Sequence, residues 1–230
     1  MLGHSGYTSY DLTFSLAGIP VRVHPLFWIV GALFGQYSLR LGLDFLLAWM
    51  IVFFISILVH ELGHAFAAMY FGYRPSIYLY GMGGLAQYTP IGRYNRGQSL
   101  AITFAGPAAG FALAGLAMYL SSALQPALMQ LPPRPGQLLS HMLANFFLVN
   151  MFWSVLNLFP VLPMDGGKIC LDILTYVDRA RGQTWTHWIG VLCGGAIGLF
   201  FLNFGAFWGA FVFLMMAYQN FQALQYSRWR

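Results

Sequence analysis

Residues 45–71 read FLLAWMIVFFISILVHELGHAFAAMYF. From Phe45 to Val59 the only polar side chain is Ser56; His60-Glu61-Leu62-Gly63-His64 follows, and Ala65 resumes the apolar run. The stretch exceeds the roughly 20 residues that a helix needs to cross a bilayer core. Glu61 is the only glutamate of the chain. An ionisable residue at membrane depth is costly, so it points to a use. On a helix, positions i and i+4 share a face, so His60 and His64 can reach one ion. Glu61 lies about 100° further round, where it can approach an activated water without being a ligand.

The rest of the chain agrees with a membrane setting. Hydrophobic residues make up 59% and charged residues 7%, against about a quarter charged in soluble domains. The expected fold is membrane all-α: a bundle of six transmembrane helices, with a small membrane-associated β-hairpin or sheet between the second and third spans. The expected spans are 25–39, 44–71, 99–123, 138–160, 187–203 and 206–220. The last two, parted only by Asn203-Phe204-Gly205, could instead form one long broken segment. Residues 1–230 read as one transmembrane domain with no cleavable signal peptide. Its parts outside the spans are an N-terminal surface segment (1–24), a membrane-dipping hairpin (73–98) and a cytosolic amphipathic segment (164–186). Ile77–Tyr80 and Leu85–Tyr88 are the expected hairpin strands, around Gly81-Met82-Gly83-Gly84. Phe14–Val23 alternates and suggests a second short strand pair. Cys170 and Cys193 are too few for a disulfide framework and read as reduced thiols.

The charge of +5 is a topology signal and no nucleic-acid patch. With six spans, Arg22, Arg74, Arg93, Arg96, Lys168, Arg179, Arg181, Arg228 and Arg230 share one side, and Arg40 and Arg134 the other. The positive-inside rule then places both termini in the cytosol of a multi-pass protein of the cell (inner) membrane.

A catalytic zinc usually takes three protein ligands. His60 lies roughly 16 Å above the cytosolic end of its helix, and few acids can reach that depth. Asp44 is at the opposite face, and Asp172 and Asp178 belong to the cytosolic segment. Asp165 follows the fourth span after Pro160 and Pro163, which break the helix and allow an irregular segment to present it. A plain helix N-cap is the other reading of Asp165.

His60-Glu61-Leu62-Gly63-His64, followed by Asn157-Leu158-Phe159-Pro160-Val161-Leu162-Pro163-Met164-Asp165-Gly166-Gly167, resembles the site-2 protease family of intramembrane zinc metalloproteases. Weaker matches are Gly18–His24, Gly83-Gly84 and Gly106-Pro107. The resemblance is to a minimal form, without PDZ or CBS domains. It implies one zinc ion per chain held by His60, His64 and Asp165, with Glu61 as the general base. It implies a transmembrane protein as substrate, cut within or near its span in regulated intramembrane proteolysis, and it points to the first and last spans as the gate. Asn157 is expected to bind substrate or the oxyanion, or else to tie helices together, as intramembrane Asn often does. Asn150 reads as such a tie. His24 is expected to pack or sit at the interface, and His4, His141 and His187 carry no assigned role. Two other classes stay open: a metal-binding transporter and an inactive client-binding relative.

Overall fold

The computed structural model describes residues 8–81, 83–89 and 95–227. His4, Met82, Arg93, Arg228, Arg230 and residues 90–94 of the expected hairpin segment lie outside them. The described chain runs β1 (Leu12–Leu16), β2 (Ile19–Val23), α1 (Pro25–Phe34), α2 (Gln36–Leu41), α3 (Leu43–Tyr70), β3 (Ser76–Tyr80), β4 (Gly83–Gln87), α4 (Arg96–Leu128), α5 (Pro133–Asn157), α6 (Asp165–Val177), α7 (Gly182–Asn203) and α8 (Phe207–Ser227). It divides into two compact units. The first holds residues up to 89 with 105–154, and the second holds 95–104 with 155–227.

In the first unit the two expected strand pairs form one sheet. β1 and β2 are joined by a two-residue turn, Ala17-Gly18, with φ of 50° and 79°. Positive φ at both turn positions matches the twist of the strands it joins. β2 pairs in parallel with β3, Val21 opposite Ile77, giving the order β1-β2-β3-β4. β2 presents one face inward and the other outward. Its alternate residues Ile19, Val21 and Val23 are buried with Ile77 and Leu79 of β3, against Phe27 of α1 and Phe53, Ile57 and Leu62 of α3. One apolar face of the sheet thus packs into the same core as α3.

His24 ends β2 and starts α1. Its N–H donates to the Leu79 carbonyl at 2.8 Å, and its Nδ1 accepts from the Leu26 N–H at 3.1 Å. With Pro25 at the first helical position, it is the N-cap of α1. Polar ties hold the remaining helices of this unit. Asn150 Nδ2 donates to Ser56 Oγ at 2.8 Å, which is the tie expected of it. His141 Nε2 meets Ser38 Oγ at 3.0 Å. Arg134 bridges to Asp44 at 2.7 Å.

Four helices among the described residues are long and apolar enough to cross a membrane: α3, α4, α5 and α7. They fall on four of the six expected spans. The first expected span is divided at Gly35 into the ten residues of α1 and the six of α2. Trp49 and Leu46 of α3 fill the space that a side chain at Gly35 would need. The sixth lies in α8, 21 residues long, where Gln219, Asn220, Gln222 and Gln225 dilute the apolar first half. The Phe204-Gly205 turn separates α7 from α8, with φ of 70° at Gly205, so they are two helices rather than one broken segment.

In the second unit α6, α7 and α8 pack in sequence order. α5 ends at Asn157 and α6 begins at Asp165; turns fill the interval. Both cysteines are free, and burial pushes the Cys170 thiol above its ordinary range.

Candidate metal centre

His60 and His64 stand one turn apart on α3, and both are buried. Their Nε2 atoms face each other at 3.2 Å. Without an ion, such a pair can share one proton as an N–H···N bond; with an ion, both lone pairs can turn to it. Asp165 is the first residue of α6 and is also buried. The two histidines belong to the first unit and Asp165 to the second. Two imidazole nitrogens and one carboxylate oxygen form a donor set that suits zinc and leaves a coordination position open.

Asp165 does not serve as a helix N-cap. Met164 occupies that position, with no side-chain capping bond. The Asp165 Oδ1 accepts from Lys168 Nζ at 3.1 Å, one turn on. Asn157 is the last residue of α5 and is half-buried.

Glu61 is 5% exposed. It lies against the backbone of Gly84 in β4: a Cβ built there would overlap Cγ, Cδ and Oε1 of Glu61. Gly106 of α4 lies against His64 in the same way, and a Cβ there would overlap Nε2 and Cε1 of the imidazole. Sequence reading noted these glycines as weak motif matches and missed what they do. They make room for the Glu61 and His64 side chains. Gly106→Ala is expected to push the His64 ring and weaken zinc binding about tenfold, in line with other perturbations behind a ligand. Competition with a chelator would measure it. Gly115→Ala, on the same helix with nothing within 4 Å, should leave affinity unchanged.

The backbone directions of β4 follow from the sheet. The Leu79 carbonyl accepts from His24, so the polar groups of Leu79 face β2. Its partner across the β3–β4 pair is Gly84, and Ile77 faces Ala86. These are the non-hydrogen-bonded pairs of an antiparallel ladder. The N–H and C=O of Gly84 and Ala86 therefore point to the outer edge of β4, the edge strand of the sheet.

The profile of peptidase family M50 matches residues 48–132 and 126–201. A zinc metalloprotease of Methanocaldococcus jannaschii is 28% identical over 193 residues, covering 84% of this chain and 52% of that protein. The stage IV sporulation protein FB of Bacillus subtilis is 28% identical over 153 residues, covering 66% of this chain and 46% of that protein. The chain spans about half the length of these curated relatives. The solved site-2 protease of Methanocaldococcus jannaschii has the same fold, with a TM-score of 0.62 at 24% identity, covering 94% of this chain and 95% of that one. A His-Glu-x-x-His helix and a profile that spans both this motif and Asp165 leave one conclusion: the chain belongs to peptidase family M50, the site-2 protease family.

Proposed function

We propose that this protein is an intramembrane zinc endopeptidase that cuts a transmembrane protein substrate within or near its span, in regulated intramembrane proteolysis. The observation that carries this reading is the buried pair of His60 and His64 facing each other on α3, with the lone glutamate between them in sequence; the family motif adds Asp165, buried at the start of α6. In this reading both compact units serve one metalloprotease domain. The helix α8 and the α1–α2 pair complete six spans, and the arginine-rich side keeps the termini in the cytosol of the cell membrane.

His60 and His64 through their imidazoles and Asp165 through its carboxylate would hold one zinc ion per chain. Zinc, when bound, would supply Lewis acidity and lower the pKa of a water toward neutrality. Glu61 takes the proton of the attacking water on its carboxylate and passes a proton to the leaving amine. Its burial among apolar helices keeps bulk water from competing for that proton. Asn157 donates its side-chain amide to the substrate or to the developing oxyanion.

A transmembrane helix has its amides bonded internally, so the substrate must unwind before attack. The outward N–H and C=O groups of Gly84 and Ala86 offer a strand edge to the unwound segment. Because Gly84 touches Glu61, a substrate strand on that edge brings its backbone to the base. Ala86→Pro removes an outward N–H without breaking the β3–β4 ladder. It is expected to lower kcat/KM for a tagged single-span test protein about tenfold with zinc content unchanged. Unchanged cleavage would remove the strand-addition step from the mechanism.

The proposed activity is tested by reconstitution in lipid vesicles with that tagged single-span protein. Cleavage should stop with a zinc chelator and return with added zinc. Cleavage that persists in a preparation shown to be metal-free would rule the reading out.

A further inference from the structure

The interval between Asn157 and Asp165 is held from two sides within the second unit. From below, α6 packs on it without side chains. A Cβ at Gly166 would overlap the carbonyl oxygens of Leu158 and Phe159, and one at Gly167 would overlap the Val161 carbonyl and the Leu162 nitrogen. From the other side comes Asn220 of α8, only 2% exposed. Its Nδ2 donates to the Leu162 carbonyl at 2.8 Å and to the Met216 carbonyl at 2.9 Å.

The chemistry fixes the orientation of this amide. Both hydrogens of Nδ2 are taken by carbonyl oxygens, and the flipped amide would set oxygen against oxygen. Oδ1 is then the acceptor, and it faces His187 Nδ1 of α7 at 3.0 Å. That nitrogen must carry a hydrogen and donate it. Gly190, one turn further along α7, has no room for a Cβ because Asn220 fills the space. The result is a chain of donors, from His187 to Asn220 to the Leu162 carbonyl, three residues before Asp165.

We infer that Asn220, oriented by His187, is a positioning residue that fixes the Leu158–Met164 turn and so the approach of the Asp165 carboxylate to the metal. This rests on the assignment of Asp165 as a ligand. An unsatisfied amide would be costly at a buried position, and the carbonyl of an irregular turn needs a donor there. One side chain meets both needs. Partners that orient a metal ligand typically change affinity 10- to 100-fold when removed.

The experiment uses the full chain with Asn220→Leu, His187→Leu and His187→Asn. The last retains a donor where Nδ1 stood. Two readouts are needed: amide hydrogen exchange of the metal-free protein, and the affinity and visible spectrum of bound cobalt(II). Asn220→Leu should raise exchange about tenfold or more at Val161 and Met164, whose N–H groups donate to Phe159 and Val161. It should also weaken cobalt at least tenfold and alter its spectrum. His187→Leu should do the same to a smaller degree, and His187→Asn should restore both. Unchanged exchange in the turn, or exchange raised equally along α7 and α8, would overturn the inference by reducing Asn220 to a packing contact. If Asn220→Leu does not fold, the contrast between His187→Leu and His187→Asn decides on the same terms. If the unaltered protein binds no cobalt, the metal reading fails, and the exchange data still decide whether Asn220 holds the turn.

Discussion

Glu61→Gln should reduce cleavage of a reconstituted single-span protein by about 10⁴-fold while leaving one zinc per chain. The size follows from the share that a positioned general base supplies, about 10²- to 10⁴-fold. The upper end is expected because Glu61 is the only glutamate and is buried, which leaves little chance that bulk water substitutes. The amide is nearly isosteric and fits the space beside Gly84, so the fold should hold. Zinc retention is the informative half of the result. It separates loss of the base from loss of the site, and it requires Glu61 to lie off the ligand set. A Glu61→Gln protein that keeps zinc and still cleaves at the original rate would remove Glu61 from the mechanism.

Asp165→Ala is the second large effect. It leaves two imidazoles, and a catalytic zinc site usually has three protein ligands. Zinc should fall well below one per chain after dialysis, and cleavage should become undetectable. The substitution also removes the partner of Lys168, which is half-exposed and can be solvated. Mass spectrometry of the intact protein for zinc, beside a thermal melt, distinguishes the outcomes. Full zinc in Asp165→Ala would mean that the third ligand is another residue. His64→Ala should behave alike, since Nε2 of His64 is one half of the facing pair.

The part of the site carried by one helix was legible because the α-helical repeat alone puts His60 and His64 together. Asp165 could be chosen by depth and by the prolines, although the reading left a helix cap open. Met164 holding the cap position settles that the cap is not its role. The hairpin was legible from its glycines, and β1–β2 from its alternation. The pairing of β2 with β3 was not, because a contact between residues more than 50 positions apart leaves no local pattern. The same limit hid the role of His24. Its side chain caps α1, while its backbone extends the sheet, and only the fold places both partners. The continuous first span was expected from apolar composition, and the packing of Trp49 at Gly35 divided it. Asn220 and His187 were readable only as isolated polar residues, since neither shows in the sequence which carbonyl it meets.

The central claim is that a zinc-dependent cut is made inside an apolar span. It is tested most directly by mapping, by mass spectrometry, the product termini from a tagged single-span protein incubated in vesicles with the unaltered chain. The account predicts new termini within or at the edge of the apolar segment, absent with Glu61→Gln. A zinc-loaded, folded preparation that leaves a panel of such spans intact, or product termini that are the same with Glu61→Gln, would contradict it.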